Sequence, residues 1–179
     1  MGRIDTSCLV VVDVQGKLAQ LMFDKEGIFQ NIPRVIQGFK LLDIPILWCQ
    51  QAPEVLGETV ESVRLVLSQS SPINKTTFSC WLDSSFQTQF TALKRPDVFL
   101  CGIETHVCIY QTARDLLEEG FSVEVISDAV SSRSETNKLI ALDRMRRLGV
   151  HLTSVEMCLF DLMQTAKHPK FKEISQLIR

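Results

Sequence analysis

The sequence predicts an α/β fold in which a mostly parallel β-sheet lies between helices on both of its faces. Strand-like and helical patterns alternate along the whole chain, as in parallel α/β folds. Several strand-like stretches are unbroken apolar runs, which is typical of strands buried on both faces. The 179 residues, 45% of them hydrophobic, are enough for one well-filled core, so we expect a single domain over residues 1–179.

The first third of the chain predicts two strands and one helix. Cys8–Gln15 is a β-rich run with Asp13 at the carboxyl end of its apolar part. Apolar residues recur at amphipathic spacing over Asn31–Asp43, which predicts a helix with Pro33 in its first turn. Ile44–Gln50 is then predicted to form the second strand.

The middle of the chain is less regular. Apolar spacing within Gln51–Ser71 permits a helix, although Pro53 and Gly57 precede it. The next segment, Ser71–Trp81, is short, irregular and aromatic, with Lys75 as its single charge. Functional residues are often found on loops of this kind, so we predict a functional loop here.

The remaining chain returns to regular alternation. The predicted elements are a helix over Ser84–Lys94, a buried strand over Val98–Cys101, a helix ending near Gly120, a strand over Phe121–Ser127, a helix over Ser134–Leu148, a strand over Val150–Val155 and a helical C-terminal segment. Within Ser134–Leu148, the apolar spacing predicts an inward face of Leu139, Leu142, Met145 and Leu148.

Two reactive residues fall at the ends of predicted strands. The strand at Val98–Cys101 breaks at Gly102, so Cys108 falls in the first turn of the helix that follows. The carboxyl ends of parallel strands share one edge of the sheet, where α/β folds bind ligands, so Asp13 and Cys108 are expected to meet there. A helix start and a nearby cation would lower the pKa of the Cys108 thiol. A buried cysteine is more often plain core packing, which is our interpretation of Cys8, Cys49, Cys101 and Cys158.

Charge and cysteine content narrow the expected partners and location. With a net charge of −2 and no basic stripe, nucleic acid and anionic membranes are poor partners, which leaves a small-molecule substrate. The six cysteines follow no CxxC spacing and mostly lie in apolar runs, which favours reduced thiols in the cytoplasm. The start at Met1–Gly2 fits an N-myristoylation pattern, but a strand begins soon after it, so we do not expect acylation.

Other kinds of site find little support. His106 lies two residues from Cys108, so a helix would point the two side chains to nearly opposite faces, which makes His106 a poor base. The three histidines lack zinc-like spacing, and no glycine-rich phosphate loop is present, so we expect neither a metal nor a cofactor. Because ligand pockets are mostly apolar, Phe23, Trp81 and Tyr110 are candidate pocket walls.

Three motifs carry a resemblance to a known family. With Asp13 in LVVVDVQ, Lys75 in NKTTFS and Cys108 in GIETHVCIYQTARDLLEEGF, the chain resembles the isochorismatase-like cysteine hydrolases over nearly its whole length. The resemblance implies a three-layer α/β/α Rossmann-like fold with a six-stranded sheet and an Asp–Lys–Cys triad. Asp13 would take the proton of Cys108, Lys75 would favour the ionised groups, and the thiolate would attack a carbonyl carbon.

The same resemblance implies further features of the site. The backbone N–H groups of Glu104 and Cys108 would hold the oxyanion of the adduct. Family members carry a cis peptide bond at the position of Ile103–Glu104. They also commonly assemble as dimers or larger oligomers, so a homo-oligomer is expected.

Departures from the family pattern bear on the substrate. The second strand runs into Gln50-Gln51-Ala52-Pro53 and lacks the Asp-x-His metal site of nicotinamide-hydrolysing members. Members that cleave isochorismate commonly lack the cysteine, so Cys108 favours a small amide or related carbonyl compound, cleaved at a C–N bond other than a peptide bond. Two alternatives remain: a catalytically silent binding or scaffold protein that retains the fold, and a redox-responsive protein that uses Cys108 without an obvious resolving cysteine.

Overall fold

The computed structural model of the chain describes residues 3–179, so the acylation pattern that begins at Met1–Gly2 lies partly outside the described residues. The described residues contain one sheet with the strand order β3-β2-β1-β4-β5-β6, and each pair of neighbours is parallel. Its strands are β1 (Ser7–Val12), β2 (Ile46–Gln51), β3 (Ile73–Lys75), β4 (Asp97–Ile103), β5 (Ser122–Ser131) and β6 (His151–Thr153).

Helices cover both faces of this sheet. They are α1 (Gly16–Gln20), α2 (Lys25–Leu41), α3 (Pro53–Leu56), α4 (Glu61–Val66), α5 (Ser84–Leu93), α6 (Tyr110–Glu118), α7 (Glu135–Leu148), α8 (Val155–Met163) and α9 (Phe171–Leu177). A 3₁₀ turn at Cys80–Leu82 precedes α5, and a π-helical turn at Thr105–Ile109 precedes α6.

The alternation of side chains along the strands divides the core into two layers. In β1, Leu9 and Val11 belong to the hydrophobic cluster that includes α2, α8 and α9, whereas Val10 and Val12 belong to the cluster that includes α5, α6 and α7. This period of two is the geometry of a strand buried on both faces. The predicted three-layer α/β/α fold with a six-stranded parallel sheet is therefore confirmed.

Helix α2 begins earlier than the apolar spacing predicted. Its first residue is Lys25 rather than Asn31, which places Pro33 inside the helix instead of in its first turn. The carboxylate of Asp24 accepts a hydrogen bond from the N–H of Gly27 at 3.3 Å and so caps the helix. This capping contact, rather than the apolar period, marks the start of the helix.

Strand β3 was not predicted from its own residues, which were interpreted as part of a loop. Ile73 pairs with Cys49 and Lys75 pairs with Gln51, so the segment forms an edge strand of the sheet. Three residues are too few to produce a recognisable period, so only the pairing with β2 identifies this strand. Lys75 is consequently the last residue of a strand, and Asp13 directly follows the last residue of β1.

The predicted inward face of α7 is only partly correct. Met145 is buried together with Ala141, one turn earlier, whereas Leu139 is 57% exposed and Leu148 is also exposed. The helix therefore packs through a narrower stripe than the spacing of its leucines suggested.

Candidate active site

The position of Asp13 follows directly from strand β1. The residue comes immediately after the strand in a left-handed conformation (φ 52°), and its N–H donates to the carbonyl of Cys49 in β2 at 3.1 Å. Its side chain is 3% exposed, and Oδ2 accepts a hydrogen bond from Lys75 Nζ at 2.6 Å. The other carboxylate oxygen, Oδ1, accepts no hydrogen bond from an N–H or O–H group among the described residues, so it is available to accept a proton. Burial raises the pKa of Asp13, and hydrogen bonding by the nearby Cys108 thiol is one of the effects that oppose this rise.

Lys75 extends its fully buried side chain from the edge strand to Asp13. Its Nζ also donates to Gln51 Oε1 at 2.8 Å and to the carbonyls of Thr77 and Phe78 at 3.1 and 3.3 Å. An ammonium group has three protons, so these four acceptors use its whole donor capacity. Lys75 can therefore stabilise the Asp13 carboxylate, but it has no proton left over for a substrate.

The end of β4 is held unusually close to the end of β1. Gly102 has a left-handed φ of 120°, and a Cβ at this position would lie 2.0 Å from the carbonyl oxygen of Val12. The pairing of β4 with β5 also changes register between Leu100 and Gly102. Only glycine fits this approach, which brings the segment carrying Cys108 next to the segment carrying Asp13.

Cys108 lies in the π-helical turn, not in an ordinary first helical turn. The Ile103–Glu104 peptide bond is cis, and the Glu104 carbonyl accepts hydrogen bonds from the N–H groups of Val107 and Ile109 at 3.1 and 3.2 Å. A π-helical turn is frequently found at a functional site. Cys108 is 7% exposed at this turn, immediately before α6 begins.

The side chain of Glu104 connects this turn to the segment that follows β5. Its Oε1 accepts hydrogen bonds from the backbone N–H and from Nε of Arg133, at 3.1 and 3.0 Å. The carboxylate is nearly buried, whereas the Arg133 side chain is 60% exposed. Arg133 thus fixes the orientation of Glu104 from outside the cavity described next.

A small cavity lies between these segments. It has a volume of about 90 Å³ and is lined by Asp13, Leu18, Gln51, Leu56, Phe78, Ile103, Glu104, Val107 and Cys108. Asp13 and Cys108, which the sequence predicted to meet at this edge of the sheet, both line it. Apart from its reactive end, the wall is mostly apolar.

The predicted pocket walls lie elsewhere among the described residues, because their side chains pack into other contacts. Trp81 packs edge-on against Phe90 and Phe121, with ring centroids 5.9 and 5.6 Å apart. Tyr110 lies beneath the guanidinium of Arg144 at 5.2 Å. Phe23 is partly exposed. Its carbonyl accepts a hydrogen bond from the hydroxyl of Ser131, the last residue of β5, and its N–H donates to the carbonyl of Ser132. The cavity lining therefore includes none of Phe23, Trp81 and Tyr110.

His106 also points away from the thiol chemistry. Its Nδ1 is 2.9 Å from Ser132 Oγ, and it is absent from the residues that line the cavity. This contact agrees with the helical argument that set His106 aside as the base for Cys108.

The ionisation of the three central residues follows from burial and from their mutual charges. Burial raises the pKa of Asp13, and the opposing attraction of Lys75 only partly offsets this. Burial would lower the pKa of Lys75, but the neighbouring acidic groups Cys80, Asp13 and Cys108 outweigh it and raise that pKa. Burial, followed by the Asp13 carboxylate, raises the pKa of the Cys108 thiol, against the pull of Lys75.

This direction corrects the expectation of a lowered thiol pKa. The sequence predicted a helix start and a cation near Cys108, but burial and a carboxylate outweigh both. Burial and the Asp13 carboxylate therefore favour the neutral form of the Cys108 thiol. A carboxylate with a raised pKa beside it is suited to take its proton as the thiol reacts.

Gln51, which lines the cavity, and Gln15, which holds Gln51, were not identified as site residues from the sequence. Gln15 accepts from the N–H of Gln51 at 2.6 Å and donates to the carbonyls of Gln51 and Gly57 at 3.1 and 2.6 Å. Gln51 in turn holds Lys75 through Oε1 and donates through Nε2 to the Thr76 carbonyl at 2.8 Å. The sequence signal for them was an amide side chain at or near the carboxyl end of each of two buried strands.

The described residues contain no group of three or more His, Cys, Asp or Glu side chains placed to hold a metal ion. Between residues 3 and 179, no helix combines the length and apolar character needed to cross a bilayer.

Comparison with known proteins gives consistent matches over the whole chain. The family model described as the isochorismatase domain matches residues 7–157. Isochorismatase domain-containing protein 2 of Danio rerio is 41% identical, with 99% of this chain and 90% of that protein covered. A structure described as the MAR1 ribonuclease of Caenorhabditis elegans is 39% identical, has a TM-score of 0.91, and covers 98% of this chain and 91% of that one.

One further solved structure shares the fold at low identity. The YcaC gene product of Escherichia coli, described as an octameric hydrolase of unknown specificity, has a TM-score of 0.92 at 21% identity. The match covers 98% of this chain and 88% of that chain.

Proposed function

Because this chain belongs to the isochorismatase domain family, as its three motifs indicated, we propose that it is a cysteine hydrolase with Asp13, Lys75 and Cys108 as its catalytic triad. One observation carries the proposal. The buried Asp13–Lys75 ion pair, at 2.6 Å, leaves Asp13 Oδ1 without an N–H or O–H donor in the cavity that Cys108 also lines. A structural ion pair would have no need of a free oxygen next to a thiol.

The proposed reaction begins with proton transfer. Asp13 Oδ1 takes the proton of the Cys108 thiol while Sγ attacks the carbonyl carbon of the substrate. The resulting oxyanion accepts hydrogen bonds from the backbone N–H groups of Glu104 and Cys108. The positive charge of Lys75 keeps Asp13 ionised until this step. The other hydrogen bonds of Lys75 hold its ammonium group in place beside the carboxylate.

The second half of the reaction regenerates the enzyme. The adduct collapses and breaks the C–N bond, and Asp13 returns its proton to the departing amine, which leaves a thioester on Cys108. Asp13 then takes a proton from water as the water attacks the thioester carbonyl. The acid product leaves, and the proton on Asp13 returns to the Cys108 sulfur. The substrate class in this proposal is a small amide or related carbonyl compound, without a cofactor.

The name of the Caenorhabditis elegans relative raises RNA as another substrate. A phosphodiester backbone requires cations at the site of binding. Here the charged side chains that line the cavity are the carboxylates of Asp13 and Glu104, and the net charge of the chain is −2. These features favour a carbonyl substrate over RNA.

Trapping the covalent intermediate tests the proposal. The purified protein is mixed with a panel of small amides and esters, quenched in acid, and analysed by intact mass and peptide mapping. We expect turnover of at least one compound and an acyl adduct on the peptide containing Cys108, both absent in Cys108→Ala. Turnover that persists in Cys108→Ala would contradict the mechanism. Absence of turnover across the panel would favour the silent binding protein, and a Cys108 disulfide in oxidised protein would favour the redox-responsive alternative.

Assembly and location are part of the same proposal. We expect a homo-oligomer, since the YcaC gene product is described as octameric and helix α7 exposes Leu139 and Ile140. Light scattering coupled to size-exclusion chromatography measures the mass directly, and a mass near 20.3 kDa would contradict the expectation. The six free cysteines fit the expected cytoplasmic location.

A further inference from the structure

The dimensions and charges of the cavity limit which carbonyl compounds can reach Cys108. We infer that the site accepts uncharged, short-chain aliphatic acyl compounds, and that Phe78 sets the limit on chain length. For turnover, this inference rests on the proposed function. Its central test uses alkylation of Cys108 and requires no turnover.

The volume of the cavity sets the size limit. Its 90 Å³ compares with about 150 Å³ for an engineered protein cavity that binds benzene, and with about 30 Å³ per water molecule in the liquid. This partly open space therefore suits a carbonyl group with a short alkyl chain. A six-membered aromatic ring does not fit unless part of the wall is displaced.

The charges at the cavity surface exclude anions. The two charged side chains that line it, Asp13 and Glu104, are both acidic. Their partner cations do not line it, because Lys75 is fully buried behind Asp13 and Arg133 approaches Glu104 from outside. A carboxylate on the substrate would therefore lose its water beside two carboxylates and find no cation at the cavity surface with which to pair.

A cationic substrate is disfavoured for a different reason. Both lining carboxylates already have a cation at 3.0 Å or less, so a substrate ammonium group would lose its water and meet only carboxylates whose charge is already balanced. The remaining wall consists mainly of aliphatic and aromatic side chains, which solvate neutral groups only. An uncharged acyl group is the one class that avoids both costs.

The walls of the cavity differ in how firmly they are held. Leu56 is fixed from below, because the Gln15 side chain donates to the adjacent Gly57 carbonyl at 2.6 Å. The backbone of Gly16 also lies against Leu56, where a Cβ would be 2.1 Å from the Leu56 carbonyl oxygen. Phe78, by contrast, is 55% exposed, so one side of its ring faces solvent while the other closes the cavity. Removing this ring is the change that would lengthen the cavity at least cost to the fold.

A pair of reagents that differ mainly in charge tests the exclusion of anions. The rates at which iodoacetamide and iodoacetate modify Cys108 are measured by peptide mapping, in folded protein and in urea-unfolded protein. We expect the folded protein to prefer iodoacetamide by at least about tenfold over the preference in unfolded protein. Equal preferences would overturn the inference, and so would a failure of iodoacetamide to reach Cys108 in the folded protein.

The variant Phe78→Ala tests the size limit. We expect it to increase the ratio of the rate with N-benzyliodoacetamide to the rate with iodoacetamide by about tenfold. Leu82→Ala is the matched control, because Leu82 is similarly exposed in the same segment and does not line the cavity. An unchanged ratio in Phe78→Ala, or an equal increase in Leu82→Ala, would overturn the role of Phe78.

An amide panel then separates the two proposals. We expect hydrolysis of short aliphatic amides, with little hydrolysis of benzamide or of an amide that carries a carboxylate. Preferential hydrolysis of the carboxylate-bearing amide would overturn the inference and leave the hydrolase proposal intact. No hydrolysis of any amide, with the alkylation preference retained, would contradict the hydrolase proposal and support the selective cavity.

Discussion

The two sides of the cavity are built in different ways. On the central side, Asp13 and Cys108 follow β1 and β4, two neighbouring strands buried on both faces. On the edge side, Lys75 is the last residue of β3, a strand of three residues, and Phe78 lies in the segment that follows it. The central side is positioned by the close packing of two backbones, whereas the edge side is positioned by hydrogen bonds from side-chain amides.

This difference separates two tasks. The groups proposed to exchange a proton lie on the rigid centre, where small displacements are most costly to the reaction. The edge side supplies the cation that neutralises Asp13 and the ring that limits the size of the substrate. Substrate preference can therefore change at the edge side without altering the nucleophile and its base.

The largest expected effect comes from breaking the central side. In Gly102→Ala, the new Cβ would lie 2.0 Å from the Val12 carbonyl oxygen at a φ of 120°, and neither backbone can move freely. We expect a loss of about 4 kcal/mol or more in the free energy of unfolding, measured by urea denaturation. The control is Gly120→Ala, also at a positive φ but with nothing within 4 Å, which should cost only about 1 kcal/mol. Equal losses in the two variants would contradict the close approach of β4 to β1.

The next largest effect comes from removing the base while keeping its shape. Asp13→Asn should lower kcat/KM by about 10³-fold or more, because an amide cannot take the thiol proton. The fold should survive, since Asn can still accept from Lys75, which keeps its bonds to Gln51 and to two carbonyls. Thermal unfolding checks the fold and initial rates check activity. Near wild-type activity would exclude Asp13 as the base.

On the edge side, the expected effect on activity is smaller. Gln51→Ala removes one acceptor from Lys75, so the cation should hold Asp13 less firmly and kcat should fall by about 10- to 100-fold. Gln50→Ala is the control, because Gln50 donates to Thr59 at 2.8 Å and is not among the acceptors of Lys75 Nζ. The acid limb of the pH profile should move only in Gln51→Ala. If the acid limb of the pH profile shifted equally in both variants, Gln51 would have only a structural role.

The last expected effect requires no substitution and is a pH dependence of the unmodified protein. Because burial raises the pKa of Cys108, its alkylation by iodoacetamide should increase by about tenfold per pH unit from pH 7 to 9, without a plateau. The pKa of Asp13 is also raised, so the base becomes protonated earlier as the pH is lowered. The loss of activity on the acid side should therefore begin at a pH above the usual carboxyl range near pH 4. An alkylation rate that is already constant at pH 7 would show a lowered thiol pKa.

Much of the central side could be predicted from the sequence. The alternation of elements predicted the parallel sheet, and the rule that strand ends share an edge predicted that Asp13 and Cys108 would meet. Both arguments depend on local patterns of apolar residues. The assignment of one domain to residues 1–179 remains a prediction of the same kind.

Most of the edge side was decided by the tertiary structure. Strand β3 has no period of its own and exists through its pairing with β2. Gln51, Leu56 and Phe78 line the cavity because distant segments converge there, whereas the aromatic residues Phe23, Trp81 and Tyr110 pack elsewhere. The raised pKa of Cys108 likewise depends on burial and on a carboxylate far away in the sequence. Local periodicity determines which elements form, but cavity volume, burial and charge depend on how those elements pack.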